Sequence, residues 1–191
     1  MPLTHVLLHQ AVLAVRHLIS TGVQPQNIQV VGDSAGANLA LALMSHLLHP
    51  VPEIPQLFLS SPLRGVYLMS PWVALGGPYT GSIITNDPND IIGPGCIENW
   101  GGLVLASIKD KPSMKPYVER ILMSGGDAEV LSDSILRFAD QIAPHHSSLS
   151  FVMESYGVHN DHYFDFLLRA KPGKGELTPV IVAWLAEGFE S

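Results

Sequence analysis

An α/β architecture with a mainly parallel sheet follows from three observations. Short apolar, β-branched runs alternate along the chain with segments whose apolar residues recur at helical spacing. The composition is 47% hydrophobic and only 14% charged, as suits a sheet covered by helices. The apolar run Ile28 to Val31 enters the turn Gly32-Asp33-Ser34-Ala35-Gly36, which leaves directly as the helical pattern Ala37-Asn38-Leu39-Ala40-Leu41-Ala42-Leu43-Met44. A chain of 191 residues can bury one sizeable core, and residues 1–191 are read as a single domain.

Taken in order, Thr4 to Ser20 carries an apolar stripe at Leu7, Leu8, Ala11, Val12, Val15, Leu18 and Ile19, the pattern of a core-facing helix that Gly22 ends. Gln24 to Asn27 is a turn and Ile28 to Val31 the first strand. The helix after Ser34 runs to about Leu48, where Pro50, Pro52 and Pro55 prevent its continuation. Gly65 to Met69 is a second buried strand, ending in Ser70-Pro71-Trp72. From about residue 74 to 116 the pattern dissolves into Gly, Pro, Asn and Asp around one short helix, Cys96 to Ser107, as expected of a lid-like insertion. Val118 to Ser124 is a third strand, followed by Gly125-Gly126-Asp127 and a helix from Asp133 to Ile142. Leu149 to Glu154 is a fourth strand, and Thr178 to Phe189 a final helix.

The net charge of −7 and the lack of a basic cluster disfavour nucleic acid as a partner. No stretch approaches the roughly 18 to 20 apolar residues of a membrane span. Met1 to Val15 has no basic n-region, and His5, His9 and Gln10 interrupt its apolar run, so it reads as a helix and not a signal peptide. The single cysteine, Cys96, excludes an internal disulfide framework and fits a reducing, cytoplasmic compartment. His5/His9, His145-His146 and His159/Asp161/His162 raise metal ligation, but no zinc-type motif or second carboxylate supports it, and neither metal nor cofactor is expected.

In a parallel α/β sheet, active residues gather at the C-terminal ends of the strands. Ser34 follows the first strand, Asp127 and Glu129 the third, and His159 the fourth. A serine hydroxyl is too weakly acidic to attack a carbonyl unaided; an imidazole must take its proton, and a carboxylate fixes the imidazole tautomer and stabilises the imidazolium. Gly32 and Gly36 are expected where a Cβ would collide with the strand or helix crossing at the turn. Asp127 as a turn residue and Asp133 as a helix N-cap are the structural alternatives for the acidic segment.

Gly32-Asp33-Ser34-Ala35-Gly36-Ala37-Asn38-Leu39-Ala40, Ser70-Pro71-Trp72, Gly126-Asp127-Ala128-Glu129-Val130-Leu131-Ser132-Asp133 and Gly157-Val158-His159 resemble the hormone-sensitive-lipase-like branch of the α/β-hydrolases, particularly its fungal esterase-like members. The resemblance covers most of the chain from the first helix onward. It implies a partial α/β-hydrolase fold: a mainly parallel sheet of about four strands flanked by helices, without the family's N-terminal strands. Aligning Leu131 and Asp133 with the end of the family's acidic segment places Glu129, not Asp127, at the acid position. His159 takes the family's Gly-x-His position, with His162 second. Ser34, Glu129 and His159 are then the expected triad, and the Ala35 N–H an oxyanion donor. Asp33, Trp72, Tyr79 and Trp100 are candidate substrate-binding residues.

The family's HGGG-type loop, which supplies further oxyanion donors, has no counterpart before Ser34. Loss of one such donor typically costs about 2.7–4 kcal/mol of transition-state stabilisation, so ordinary ester hydrolysis is expected to be impaired unless another group substitutes. The family also flanks the nucleophile strand with a strand not found here. An unpaired apolar edge invites a partner, and a homodimer through that edge and the first helix is expected. Three functions compete: a serine hydrolase on an uncharged, hydrophobic ester, lactone or thioester; a cyclase, isomerase or condensation catalyst of a natural-product pathway on the same scaffold; and a non-catalytic half-domain that binds a ligand or a full-length relative.

Overall fold

The computed structural model describes residues 3–75, 80–94, 117–167 and 177–190. Four strands, β1 (Gln29–Asp33), β2 (Gly65–Met69), β3 (Ile121–Gly126) and β4 (Leu149–Glu154), form one parallel sheet in the order β1-β2-β3-β4. Among the described residues six helices accompany them: α1 (Leu3–Ser20), α2 (Ala35–Leu48), a single turn α3 (Ser82–Thr85), α4 (Ser132–Ile142), α5 (His162–Leu167) and α6 (Leu177–Glu187).

The strands show why near-continuous apolar runs were required. In β2 all five residues are buried, and alternate side chains serve opposite faces. Val66 and Leu68, with Ile121 and Met123 of β3, join the larger core with Val12 of α1, Ala40 and Leu43 of α2, and Ile135 of α4. Tyr67, Met69 and Leu122 pack on the other face against Leu177, Ile181 and Trp184 of α6. The sheet is thus covered on both sides, as the low charge content implied.

Three details differ from the sequence reading. Strand β3 begins at Ile121, because Val118 makes only an isolated bridge to Leu63, and it extends through Gly125 and Gly126, which pair with Met153 and Glu154. Asp133 is not the N-cap of α4: Leu131 holds that position, and the Asp133 carboxylate instead accepts the Ser82 N–H at 2.9 Å. Gly36 is less constrained than expected, since a Cβ there would meet only the Asp33 side chain at 3.2 Å. Gly32 behaves as expected: its Cβ would overlap the Gly36 carbonyl where α2 crosses β1. Of the lid-like insertion, α3, a 3-10 turn at Asp87–Asn89 and their flanks are described; the Cys96 to Ser107 helix lies outside the described residues.

Candidate active site

The elbow is built by backbone. Ser34 caps α2 with φ 50° and ψ −114°, a conformation side-chain-bearing residues seldom adopt. It is held there by its N–H on the Met69 carbonyl (2.9 Å) and by its carbonyl, which accepts the Trp72 N–H (3.2 Å) and the Asn38 N–H (3.2 Å). The Asn38 amide donates to the Trp72 carbonyl (3.0 Å), tying the start of α2 to the loop after β2. Ala35 is the first residue of α2, so its N–H is one of the donors that a helix leaves without an intrahelical partner.

Two further loops meet beside this turn. Glu129 is completely buried at 0% exposure and His159 at 3%. One oxygen of Glu129, Oε2, lies 2.8 Å from Nδ1 of His159, while Oε1 accepts the Gly126 N–H at 2.8 Å. This places the proton of a neutral His159 on Nδ1 and leaves Nε2 able to accept one. The two glycines after Ser124 make the arrangement possible. A Cβ on Gly125 would press on Glu129 Oε1 at 2.8 Å, and one on Gly126 would overlap Gly157, whose carbonyl accepts the Ala128 N–H at 3.0 Å. The His159 loop is in turn anchored over the end of β2, where the Asn160 N–H donates to Ser70 Oγ at 3.2 Å. Ser70 follows Met69, the residue that holds the Ser34 N–H, so the three loops form one hydrogen-bonded cluster at the C-terminal edge of the sheet. All four non-glycine residues with positive φ among those described, Ser34, Ser70, Tyr156 and Asn160, follow the C-terminal ends of β1, β2 and β4.

The other candidate residues are placed differently. Asp127 accepts the Tyr156 N–H through Oδ1 at 2.6 Å, the behaviour of a turn residue. His162 is 6% exposed, and neither ring nitrogen has a hydrogen-bond partner. Burial pushes its pKa below the ordinary value of 6.5, opposed by the Asp165 and Asp33 carboxylates. Of the expected substrate-binding residues, Asp33 lies against the Tyr163 hydroxyl, whose pKa is raised by burial and by that carboxylate. Trp72 is buried in the larger core with its indole N–H on the Ala74 carbonyl at 3.1 Å. Tyr79 and Trp100 lie outside the described residues.

Because His162 is buried in its neutral form, the unfolded chain binds its proton first. Stability present above the ordinary histidine pKa of about 6.5 is therefore lost as pH falls through and below it. Replacing His162 by Phe is expected to flatten the decline in melting temperature between pH 7.5 and 5.0; an unchanged decline would contradict the assignment.

Among the described residues no group of three or more His, Cys, Asp or Glu is placed to hold a metal ion, and no helix is long and apolar enough to cross a membrane. A groove of about 350 Å³ lined by Arg16, Ile19, Ser20, Gln56, Leu57 and Phe58 takes none of its lining from the three loops.

A parallel sheet, a strained strand–serine–helix turn and a carboxylate–histidine pair on two neighbouring strand ends define the α/β-hydrolase class. Residues 5–162 match the alpha/beta hydrolase fold family, and the chain belongs to it. Comparison with curated protein sequences gave no match. Among solved structures the chain is similar to EstE5 soaked with ethyl alcohol (TM-score 0.76, 21% identity, 96% of this chain and 61% of that one). It is also similar to an esterase/lipase from an uncultured bacterium (0.75, 20%, 96% and 60%) and to the hormone-sensitive-lipase homologue EstE7 from a metagenome library (0.67, 21%, 95% and 61%). The chain spans about three fifths of the length of these proteins.

Proposed function

We propose that the chain acts as a serine hydrolase on an uncharged, hydrophobic acyl substrate, an ester, lactone or thioester. The observation that carries this reading is the buried 2.8 Å contact between Glu129 and His159 Nδ1, on loops tied through Ser70 and Met69 to the Ser34 turn. In this reading His159 Nε2 takes the Ser34 proton as Oγ attacks the carbonyl, and Glu129 stabilises the imidazolium formed. The Ala35 N–H, at the positive end of α2, faces charge developing on the carbonyl oxygen. His159 then returns the proton to the leaving group, and water releases the acyl-enzyme. The net charge of −7 favours neutral substrates over anionic ones. Purified protein is expected to cleave a short-acyl chromogenic ester, a lactone or a thioester faster than buffer; background rates with all three would contradict the reading.

A second copy of the chain is the proposed partner. Among the described residues strand β1 has a neighbouring strand on one side only, and Val31 within it is 53% exposed. Leu7, Leu13 and Leu18 of α1 are also exposed. Edge-to-edge pairing of two β1 strands would satisfy the free backbone groups and shield these side chains. Light scattering at micromolar concentration is expected to give twice the chain mass, and a monomeric mass would overturn the pairing.

A further inference from the structure

We infer that Asp90 is a positioning residue that sets the spacing of Glu129 and His159; the inference rests on the hydrolase reading above. Asp90 belongs to the insertion between β2 and β3, not to either loop that carries those residues. Its Oδ2 accepts the Val130 N–H at 2.7 Å, and its Oδ1 accepts the His159 N–H at 3.0 Å as well as the N–H of Ile91 at 2.7 Å. One carboxylate therefore holds the residue directly after Glu129 and the backbone of His159 itself. These partners lie 40 and 69 residues away in sequence, so the contact is tertiary and not a local turn. Hydrogen bonds to an ionised acceptor are short and strong, and two from different loops to one planar group fix the distance between those loops.

The rest of the segment reinforces the acid loop. Asn86, four residues earlier, donates its amide to the carbonyls of Asp127 (3.0 Å) and Glu129 (2.9 Å). Ser82, four residues earlier again, donates its hydroxyl to the Val130 carbonyl at 2.9 Å and accepts the Asp133 N–H at 3.2 Å. Ser82, Asn86 and Asp90 thus strap the acid loop along one side, and Asp90 alone among the three also reaches the histidine loop. All three residues belong to the insertion between β2 and β3. Its root sets the register in which acid and base meet, and a shift of about 1 Å in such a pair lowers rate by about a hundredfold.

In Asp90→Asn the amide NH2 must face either the Val130 or the His159 N–H, so one of the two loops is released. The expected result is a kcat about ten- to a hundredfold lower with KM changed less than about twofold. In 15N-histidine-labelled protein, the Nδ1–H resonance of His159 is expected to broaden or shift upfield. Arg64→Ala, which removes an ion pair to Glu119 outside the three loops, controls for general destabilisation and should leave both readouts unmoved. An Asp90→Asn protein with wild-type kcat and an unshifted His159 resonance would overturn the inference. Wild-type protein that neither hydrolyses nor labels would count against the hydrolase reading alone, because the resonance still reports on Asp90. Should the variant not fold, amide exchange in the wild type decides: co-protection of the Val130 and His159 amides is expected, and free exchange of either would overturn the inference.

Discussion

Ser34→Ala is expected to lower kcat by about four to six orders of magnitude while leaving the melting temperature almost unchanged. The two effects separate because the elbow is held by main-chain groups. The Ser34 N–H and carbonyl make the contacts to Met69, Trp72 and Asn38, and alanine keeps all of them. In the proposed mechanism the hydroxyl contributes only chemistry. Ser34→Gly should be as inactive yet melt higher, since glycine accepts φ 50° without the strain of about 1–3 kcal/mol that a side chain meets there. Steady-state kinetics and thermal melts on the three proteins check this. An alanine variant retaining more than a few per cent of the rate would mean that another group attacks.

Glu129→Gln has the second largest expected effect, again with little loss of fold. The glutamine oxygen replaces Oε1 as acceptor for the Gly126 N–H, which leaves the NH2 directed at His159 Nδ1. A donor facing Nδ1 drives the histidine proton to Nε2, the nitrogen that accepts from Ser34 in the proposed mechanism. Loss of rate by about 10⁴ follows from the wrong tautomer alone. Glu129→Ala is different in kind: it leaves the buried Gly126 N–H and His159 Nδ1 without their partner, and destabilisation of about 1–3 kcal/mol for each is expected in addition. Rates and denaturant melts of both variants, read together, distinguish the tautomer effect from collapse of the site.

The elbow was legible in the sequence because strand, turn and helix follow one another directly from Gln29 to Leu48 and each is specified locally. The carboxylate that faces His159 was harder to read. Gly125 and Gly126 read as turn formers, yet both are extended members of β3, and what they supply is space for Glu129 and for Gly157. The turn therefore starts two residues later than glycine preference suggests, and composition alone left Asp127 and Glu129 open. Only the alignment with Leu131 and Asp133 pointed to Glu129. Asp133, Ser82, Asn86 and Asp90 were not legible as a set: each is a common loop or cap residue, and their partners lie about 40 residues or more away. The four-residue spacing of Ser82, Asn86 and Asp90 was the one available signal, and nothing in a single sequence says what such a row binds.

In the proposed mechanism Ser34 is a nucleophile activated by His159 and Glu129. Its most direct measurement is peptide mapping by mass spectrometry after a fluorophosphonate is added to the purified chain. One adduct per chain, on the peptide containing Gly32 to Gly36, located at Ser34 and lost in Glu129→Gln at equal exposure time, is the result predicted. No adduct, or an adduct on another serine, would contradict it.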